Sequence, residues 1–359
     1  MDAALASGSS VVVPEGVYRV RDLDLCDGVT IEGDGWRSSW IKGHITFGSS
    51  TSVSGLKIGT VGVSAIHNRS RASNTVFTAC RFRGGGGRMW TYVVDLGSAA
   101  PCDHITFRQC LVERNQGSDP YGEKGFNDVT IWAGRNAPVS DITFEGCRIG
   151  VSNGRRGHSR GSPRMGLECY VHDGTAAWSN VTLRDTVFEA ADFHTADFSD
   201  HPDARGTGLL IEGCTFKGGG LKNRGWKYVV DLEMPLNPVI RDNRFLRGRG
   251  GWGYVLNITD RGQAGYGSSG ALITGNVFDL DANNGIPREK DSWPFAVQGH
   301  DNDFSGNTII CHYGWRPLVM LDRAFSSTVT GNTFRVGSRA LFGSVHGSAQ
   351  NRLTPNTVY

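Results

Sequence analysis

The sequence has little of several features that mark common protein classes. No run of about 18 apolar residues occurs, so we expect no membrane-spanning helix and no membrane partner. The start lacks the basic and apolar segments of a secretory signal. Charge of one sign is also scarce, because 37 basic and 35 acidic residues leave a net charge of +2. We therefore expect no nucleic-acid partner.

Zinc-type cysteine spacing is also missing, since none of the eight cysteines forms a Cys-x-x-Cys pair. We expect no cofactor. Only residues 192–203, which are rich in aspartate, could bind a divalent cation such as calcium, although their order matches no EF-hand loop.

Glycine, by contrast, is abundant, with 50 residues, and the chain repeats itself. Residues 105–112, 142–149, 211–216 and 273–278 share one template, in which an apolar residue stands three positions before a Cys, or Asn in the last copy, and another stands two positions after it. If the Cys position of this template is called n, eleven residues occupy it along the chain: Asp34, Leu56, Cys80, Cys110, Cys147, Thr186, Cys214, Asn243, Asn276, Asn307 and Asn332. Internal repeats of this kind indicate a solenoid.

The residues around position n predict the type of solenoid. Positions n−3 and n+2 are apolar in all eleven copies, from Ile31 and Trp36 to Val329 and Phe334. Apolar and polar residues alternate with a period of two on either side of position n, which predicts short β-strands. Position n advances from 34 to 332 in ten steps of about 30 residues, which fits neither a leucine-rich repeat nor a propeller blade. We predict one all-β domain, 1–359: a parallel β-helix of about eleven turns.

Two further motifs carry a resemblance to a known family. They are the opening, residues 8–18 and 29–35, and the asparagines at position n from Asn243 to Asn332. The chain resembles the right-handed, single-stranded parallel β-helix proteins of the pectin-lyase-like superfamily, which include polysaccharide lyases, glycoside hydrolases and phage tailspikes. The resemblance implies a polysaccharide or oligosaccharide substrate, an extracellular or virion-associated location, and a remnant of an N-terminal cap at residues 1–10. It also allows a homotrimer.

Two expectations concern the ends of the chain. Asp2 to Ala6 could form one helical turn over the first coil, and residues 350–359 read as a C-terminal tail.

A second strand recurs between the repeats, at residues 90–96, 226–232, 252–258 and 293–299. Alternation predicts that Tyr92 points inward, and that one sheet carries an outward polar row. Residues 113–128, 151–165, 190–208 and 279–293 are long insertions that would wall a groove beside this sheet. A long groove with polar and aromatic groups suits an extended glycan. The predicted substrate-binding residues are Trp132, Arg135, His194, Glu233, Asn257, Arg261 and Gln298.

Glycoside hydrolysis is the favoured chemistry, because it needs two carboxyl groups at a defined separation. Glu168, Asp197 and Asp231 fall on three successive turns, so we predict Glu168 and Asp231 as the pair and Asp197 as their neighbour. Tyr170 and His172 would assist them.

The alternative is a polysaccharide lyase acting on a uronate-containing glycan. Tyr170 or His172 would be its base, and an arginine among Arg135 and residues 155–164 would neutralise the uronate. A non-catalytic carbohydrate-binding or virion-structural β-helix is a third possibility, because the fold does not determine the chemistry.

Overall fold

The chain coils into a right-handed parallel β-helix, here described from a computed structural model. The structure describes residues 3–60, 62–68, 70–85, 92–113, 115, 127–134, 136–151, 165–189, 192–197, 205–217, 229–233, 235–246, 255–259, 269–280, 295–311, 319–336, 342–345 and 348–359. Within these ranges all regular structure is β, and no helix that could cross a membrane is present. Every pair of named strands is parallel, and such crossovers are almost always right-handed.

Each turn contributes a strand to up to three sheets. Sheet 1 contains the n−3 residues and has twelve strands. They are Ser10–Val13, Thr30–Gly33, Ser52–Ser54, Ala72–Thr78, Cys102–Arg108, Val139–Glu145, Trp178–Arg184, Leu210–Glu212, Val239–Arg241, Leu272–Thr274, Asp303–Ser305 and Thr328–Thr330.

Sheet 2 follows position n and contains the n+2 residues. Its strands are Lys57–Ile58, Arg81–Phe82, Leu111–Glu113, Arg148–Val151, Val187–Phe188, Thr215–Phe216, Arg244–Leu246, Val277–Asp279, Thr308–Cys311, Thr333–Val336 and Thr357–Val358.

Sheet 3 contains the recurring second strand. Its strands are Ala3–Leu5, Gly16–Leu25, Ser39–Phe47, Ile66–Asn68, Val94–Leu96, Val129–Ala133, Met165–Val171, Asp192–Asp197, Val230–Glu233, Leu256–Thr259, Phe295–His300, Val319–Phe325 and Phe342–Val345. The long strand Ser39–Phe47 joins the two sheets, because it pairs with both Lys57–Ile58 and Ile66–Asn68.

The predicted apolar columns form the core. All eleven n−3 residues are buried, and so are the ten n+2 residues from Ile58 onward. Phenylalanines stack along the axis: the ring centroids of Phe107 and Phe144 lie 4.5 Å apart, and those of Phe188 and Phe216 lie the same distance apart. The first n+2 assignment was wrong, because Ile41 rather than Trp36 pairs with Ile58. Trp36 is partly exposed in the extra residues before Ser39.

Position n changes character along the coil. In the first half the cysteine thiols donate to backbone carbonyls one turn away, as Cys110 Sγ does to Phe77 O at 3.4 Å. In the second half Asn276 donates its backbone N–H and its Nδ2–H to Asn307 Oδ1, both at 3.0 Å. All eight cysteines are free thiols, and seven of them are buried.

The two ends differ from the sequence-based expectation. Ala3–Leu5 is a strand paired with Leu23–Leu25 rather than a helical turn, because pairing satisfies the backbone groups at the first edge of sheet 3. Residues 350–359 are not a loose tail. Asn356 Oδ1 accepts from the backbone N–H of Asn332 at 2.9 Å, and Thr357–Val358 pairs with Thr333–Phe334, so the ladder gains a further rung.

Candidate functional site

Sheet 3 aligns one residue from each turn into a single row on its outer side, which we call the outer column. The strand register defines it as His67, Asp95, Thr130, Glu168, His194, Asp231 and Asn257. Because successive parallel strands are about 4.8 Å apart, Glu168 and Asp231 lie about 9.6 Å apart at their Cα atoms. The two predicted carboxyl groups therefore share one row.

His194, and not Asp197, occupies the level between these two carboxyl groups. Asp197 pairs with Val171, three residues further along the strand, so it does not belong to the outer column. The sequence placed Asp197 on the turn between Glu168 and Asp231, and its strand lies on that turn. The pairing shifts by one residue between Met165 and Leu167, an irregularity that sequence counting does not reveal.

Asp231 is more enclosed than the alternation predicted. Its exposed fraction is 2%, that of Asn257 is 5%, and Thr130 is fully buried, although all three lie on the outer side. Asn257 Nδ2 donates a hydrogen bond of 2.8 Å to Asp231 Oδ1. This amide donor orients the carboxylate.

Glu168 is partly buried, and Asn127 helps to hold it. Asn127 Nδ2 donates to Glu168 Oε2, and the same nitrogen lies 3.3 Å from Thr130 Oγ1. Sequence analysis missed Asn127, because it lies just before the strand Val129–Ala133, at the end of a long insertion. Glu168 is therefore positioned by a side chain from the preceding turn.

Asp95 is a third carboxyl group in the outer column, two turns from Glu168 on the side away from Asp231. Burial raises the pKa of Asp95 to about 6, although a hydrogen bond from Ser98 opposes the shift. Ser98 Oγ donates to Asp95 Oδ2 at 2.7 Å. Oδ1 is buried and has no hydrogen-bond partner among the residues that the structure describes. A carboxyl group in this state can donate a proton near neutral pH.

Tyr92 interacts with residues of the outer column and lies outside the hydrophobic core cluster, whereas alternation predicted that it points inward. It forms a side-chain hydrogen bond with Thr130. Burial, followed by the charges of Glu168 and Asp95, raises the pKa of Tyr92 far above its ordinary value. Because Tyr92 precedes the strand Val94–Leu96, the alternation of that strand does not apply to it.

Trp132, Tyr170 and His172 form an aromatic cluster next to the outer column. The Trp132 ring centroid lies 4.6 Å from that of Tyr170 and 4.7 Å from that of His172. The Tyr170 hydroxyl and His172 Nδ1 are 3.3 Å apart, within hydrogen-bond range. All three side chains are partly exposed. The cluster offers both a stacking surface and a candidate base beside Glu168.

The structure gives fewer contacts for the remaining predicted site residues. Glu233 and Gln298 are partly exposed on the same sheet, at the second outward position of their strands. His194 is placed only through its backbone register. Arg135, Arg261, residues 154–164 and residues 198–203 lie outside the described residues. Among the described residues no group of three His, Cys, Asp or Glu side chains could hold a metal ion.

Comparison with known proteins shows likeness in fold only. No family model matches the chain, and no curated protein matches it. A mannuronic acid-specific polysaccharide lyase of family 6 from human gut microbiota aligns with a TM-score of 0.44 and 12% identity, over 99% of this chain and 74% of that one.

Two other solved structures align at similar levels. The catalytic unit of a thermostable family 87 α-1,3-glucanase from Streptomyces thermodiastaticus strain HF3-3 has a TM-score of 0.48 and 14% identity, over 96% of this chain and 63% of that one. The surface protein and adhesin PfbA of Streptococcus pneumoniae has a TM-score of 0.42 and 11% identity, over 98% and 91%. The fold predicted from the sequence is confirmed by the strand register: the chain is a right-handed parallel β-helix.

Proposed function

We propose that the protein hydrolyses glycosidic bonds of an extended polysaccharide along the outer column, with Glu168 and Asp231 as the carboxyl pair. The observation that carries the proposal is their position in one row, two turns apart. The backbone separation of about 9.6 Å lies at the upper edge of the range of about 6.5–9.5 Å used by inverting glycosidases.

The neighbours of the two carboxyl groups suggest their roles. Asp231 accepts a hydrogen bond from Asn257, which suits a base that takes a proton from water. Glu168 then protonates the leaving oxygen of the glycosidic bond. Inversion requires these two steps on opposite faces of one sugar ring, and a two-turn gap leaves room for the ring and the water.

Asp95 supports a second assignment within the same reaction. Its raised pKa suits an acid that carries its proton near pH 6, and it also lies two turns from Glu168. In this arrangement Asp95 is the acid and Glu168 the base. The two assignments place the scissile bond on different sides of Glu168.

The aromatic cluster supports a glycan as the substrate. Trp132 and Tyr170 are Cα partners on adjacent turns, and their rings are partly exposed. Tyr170 is two residues after Glu168 on the same strand. Aromatic rings of this kind pack against the apolar faces of sugar rings, while amides and carboxylates bind the hydroxyl groups.

The test is release of reducing ends from a panel of capsular, plant and host polysaccharides. We expect Glu168→Gln and Asp231→Asn each to lower the rate by at least about 10²-fold, because acid–base groups contribute this much. Glu32→Gln is the matched control, since Glu32 is an exposed carboxylate on sheet 1, and it should keep the wild-type rate. Wild-type rates in both site variants would overturn the assignment.

The Asp95 arrangement is separated by the pH profile. If Asp95 is the acid, Asp95→Asn abolishes turnover and Asp231→Asn keeps much of it, with loss of activity in the wild type as the pH rises above about 6.

A uronate lyase is the second candidate, favoured by the Tyr170–His172 contact of 3.3 Å. Its products are unsaturated and absorb in the ultraviolet. Tyr170→Phe would then stop turnover, whereas Asp231→Asn would not. If the panel yields neither new reducing ends nor unsaturated products, a non-catalytic carbohydrate-binding β-helix replaces both enzymatic proposals.

A further inference from the structure

Sheet 2 carries a group of tryptophans and cations on its outer side at the first turns, away from the outer column. We call it the tryptophan–cation patch; it consists of Trp36, Trp40, Lys42, Lys57, Arg81 and Arg83. Lys57 Nζ lies 4.1 Å from the centroid of the Trp40 ring, and Arg81 Cζ lies 4.9 Å from that of Trp36. The rings and the cations therefore form one surface.

The strand register orders this surface into rows. Trp40, Lys57 and Arg81 are successive Cα partners on three adjacent turns, so the cations repeat about every 4.8 Å along the axis. A second row runs through Gly59 to Arg83. A Cβ at Gly59 would lie 2.0 Å from Arg83 O, so that position must stay without a side chain.

The positive charge of the patch is only partly balanced. Glu113, with 1% of its surface exposed, is the carboxylate that pairs with it: Arg81 Nε lies 2.7 Å from Oε1 and Arg83 Nε 3.7 Å from Oε2. Burial, and then the neighbouring Arg83 and Arg81, lower the pKa of Lys57, against the attraction of Glu113. Three cations, Lys57, Arg81 and Arg83, thus lie around one buried carboxylate, so this group of residues keeps a net positive charge.

We infer that the tryptophan–cation patch binds an acidic polysaccharide, one with carboxylate or sulfate groups along its chain. Glu113 engages Nε of both arginines, which leaves further donors of each guanidinium for an anion. The row spacing is comparable to the length of one sugar residue, and the tryptophans can contact the sugar rings. A net charge of +2 and a pI of about 8.1 favour a local glycan site over general nucleic-acid binding.

This site is independent of the proposed hydrolysis, because its residues lie on sheet 2 and at the end of Ser39–Phe47 that pairs with sheet 2, and none of them belongs to the outer column. Binding is therefore best measured in the Glu168→Gln background, which is not expected to degrade a ligand. The probes are a sulfated polysaccharide (heparin), a polyuronate (polygalacturonate), neutral dextran and double-stranded DNA, each titrated calorimetrically at low and high salt.

We expect heparin or polygalacturonate to bind and dextran not to bind, with affinity falling as salt rises. Adding Lys42→Gln and Lys57→Gln should weaken that binding at least about tenfold, because two charge-assisted contacts are lost. The control adds Arg244→Gln and Arg335→Gln, which removes two exposed charges from distant turns of sheet 2, and should change affinity less than about twofold. Arg81 is left intact because it neutralises the buried Glu113.

Three results would overturn the inference. One is failure of both acidic polysaccharides to bind at low salt, and another is an equal loss of affinity in the two double variants. The third is tighter binding of DNA than of either glycan at the same salt, which would make the patch a nucleic-acid site. None of these results depends on whether the outer column is catalytic.

Discussion

Asp95 shows how much the surroundings of one residue change its chemistry. Its carboxyl group lies at an outward position of sheet 3, where alternation alone predicts a solvated aspartate with an ordinary pKa. Burial instead raises the pKa to about 6. Its partner on the next turn, Thr130, is fully buried at an outward position, and alternation along the strand does not predict such burial.

This shift predicts how stability depends on pH. Because the pKa of Asp95 is higher in the folded chain than in the unfolded chain, its contribution is most favourable below about pH 4 and is lost as the pH rises through about 6. Asp95→Asn removes this dependence. Relative to wild type, the variant should gain up to about 3 kcal/mol of unfolding free energy between pH 4 and pH 8. Urea denaturation at both pH values measures it, and parallel curves for the two proteins would contradict the burial of the carboxyl group.

Other site residues show the same division between what sequence patterns reveal and what they do not. The shared row of Glu168 and Asp231 could be predicted, because alternation along the recurring second strand puts both on the same side of the sheet. The level of His194 and the contact from Asn127 could not be predicted. The first depends on a register shift after Met165, and the second depends on where a long insertion returns to the sheet.

At the scale of the element, two corners of each turn need a left-handed backbone. Position n−1 has positive φ in all ten turns from Gly55 to Gly331, and position n−6 has positive φ in all eleven turns from Gly28 to Ser326. Nine of these 21 positions are glycine, which adopts this conformation without strain. Sequence analysis noted the glycines without their fixed offset, and that offset was the available signal for both corners.

Ala79 is one of two n−1 residues that are neither glycine nor aspartate, and its φ is 50°. A methyl group in the left-handed region costs about 1 kcal/mol, which glycine does not incur. Ala79→Gly should therefore raise the free energy of unfolding by about 0.5–1 kcal/mol, as measured by denaturant titration. The control is Ala133→Gly, within the strand Val129–Ala133, which should lower it. A loss of stability in both variants would contradict the corner geometry.

At the scale of the whole molecule, position n divides the coil into two halves. The thiols of the first half are weak donors, whereas each asparagine of the second half bonds both to the next turn and to a carbonyl of the previous one. The second half is therefore held by a continuous row of amide hydrogen bonds, from Asn243 to Asn356.

Removing one rung should show the difference between the halves. Asn307→Ala leaves the backbone N–H and Nδ2 of Asn276 without their shared acceptor and should cost about 2–4 kcal/mol of unfolding free energy. Cys110→Ala, at the same position in the first half, should cost about 1–2 kcal/mol, since it removes a weak donor and a small apolar group. Chemical denaturation measures both, and equal costs would show that the amide row adds nothing.

The two corners also separate the conserved geometry of the coil from its variable part. In the ten turns from Leu56 onward, both corners, the n−3 residue, the ladder residue and the n+2 residue fall within nine consecutive positions, n−6 to n+2, whose spacing does not change. Among these turns, the variation in length falls outside the nine positions, in the segments that lead to and from sheet 3. Because the spacing of these nine positions does not depend on the length of the turn, the connections to and from sheet 3 can be lengthened or exchanged on an unchanged scaffold, so the coil and its connections can diversify, or be engineered, separately.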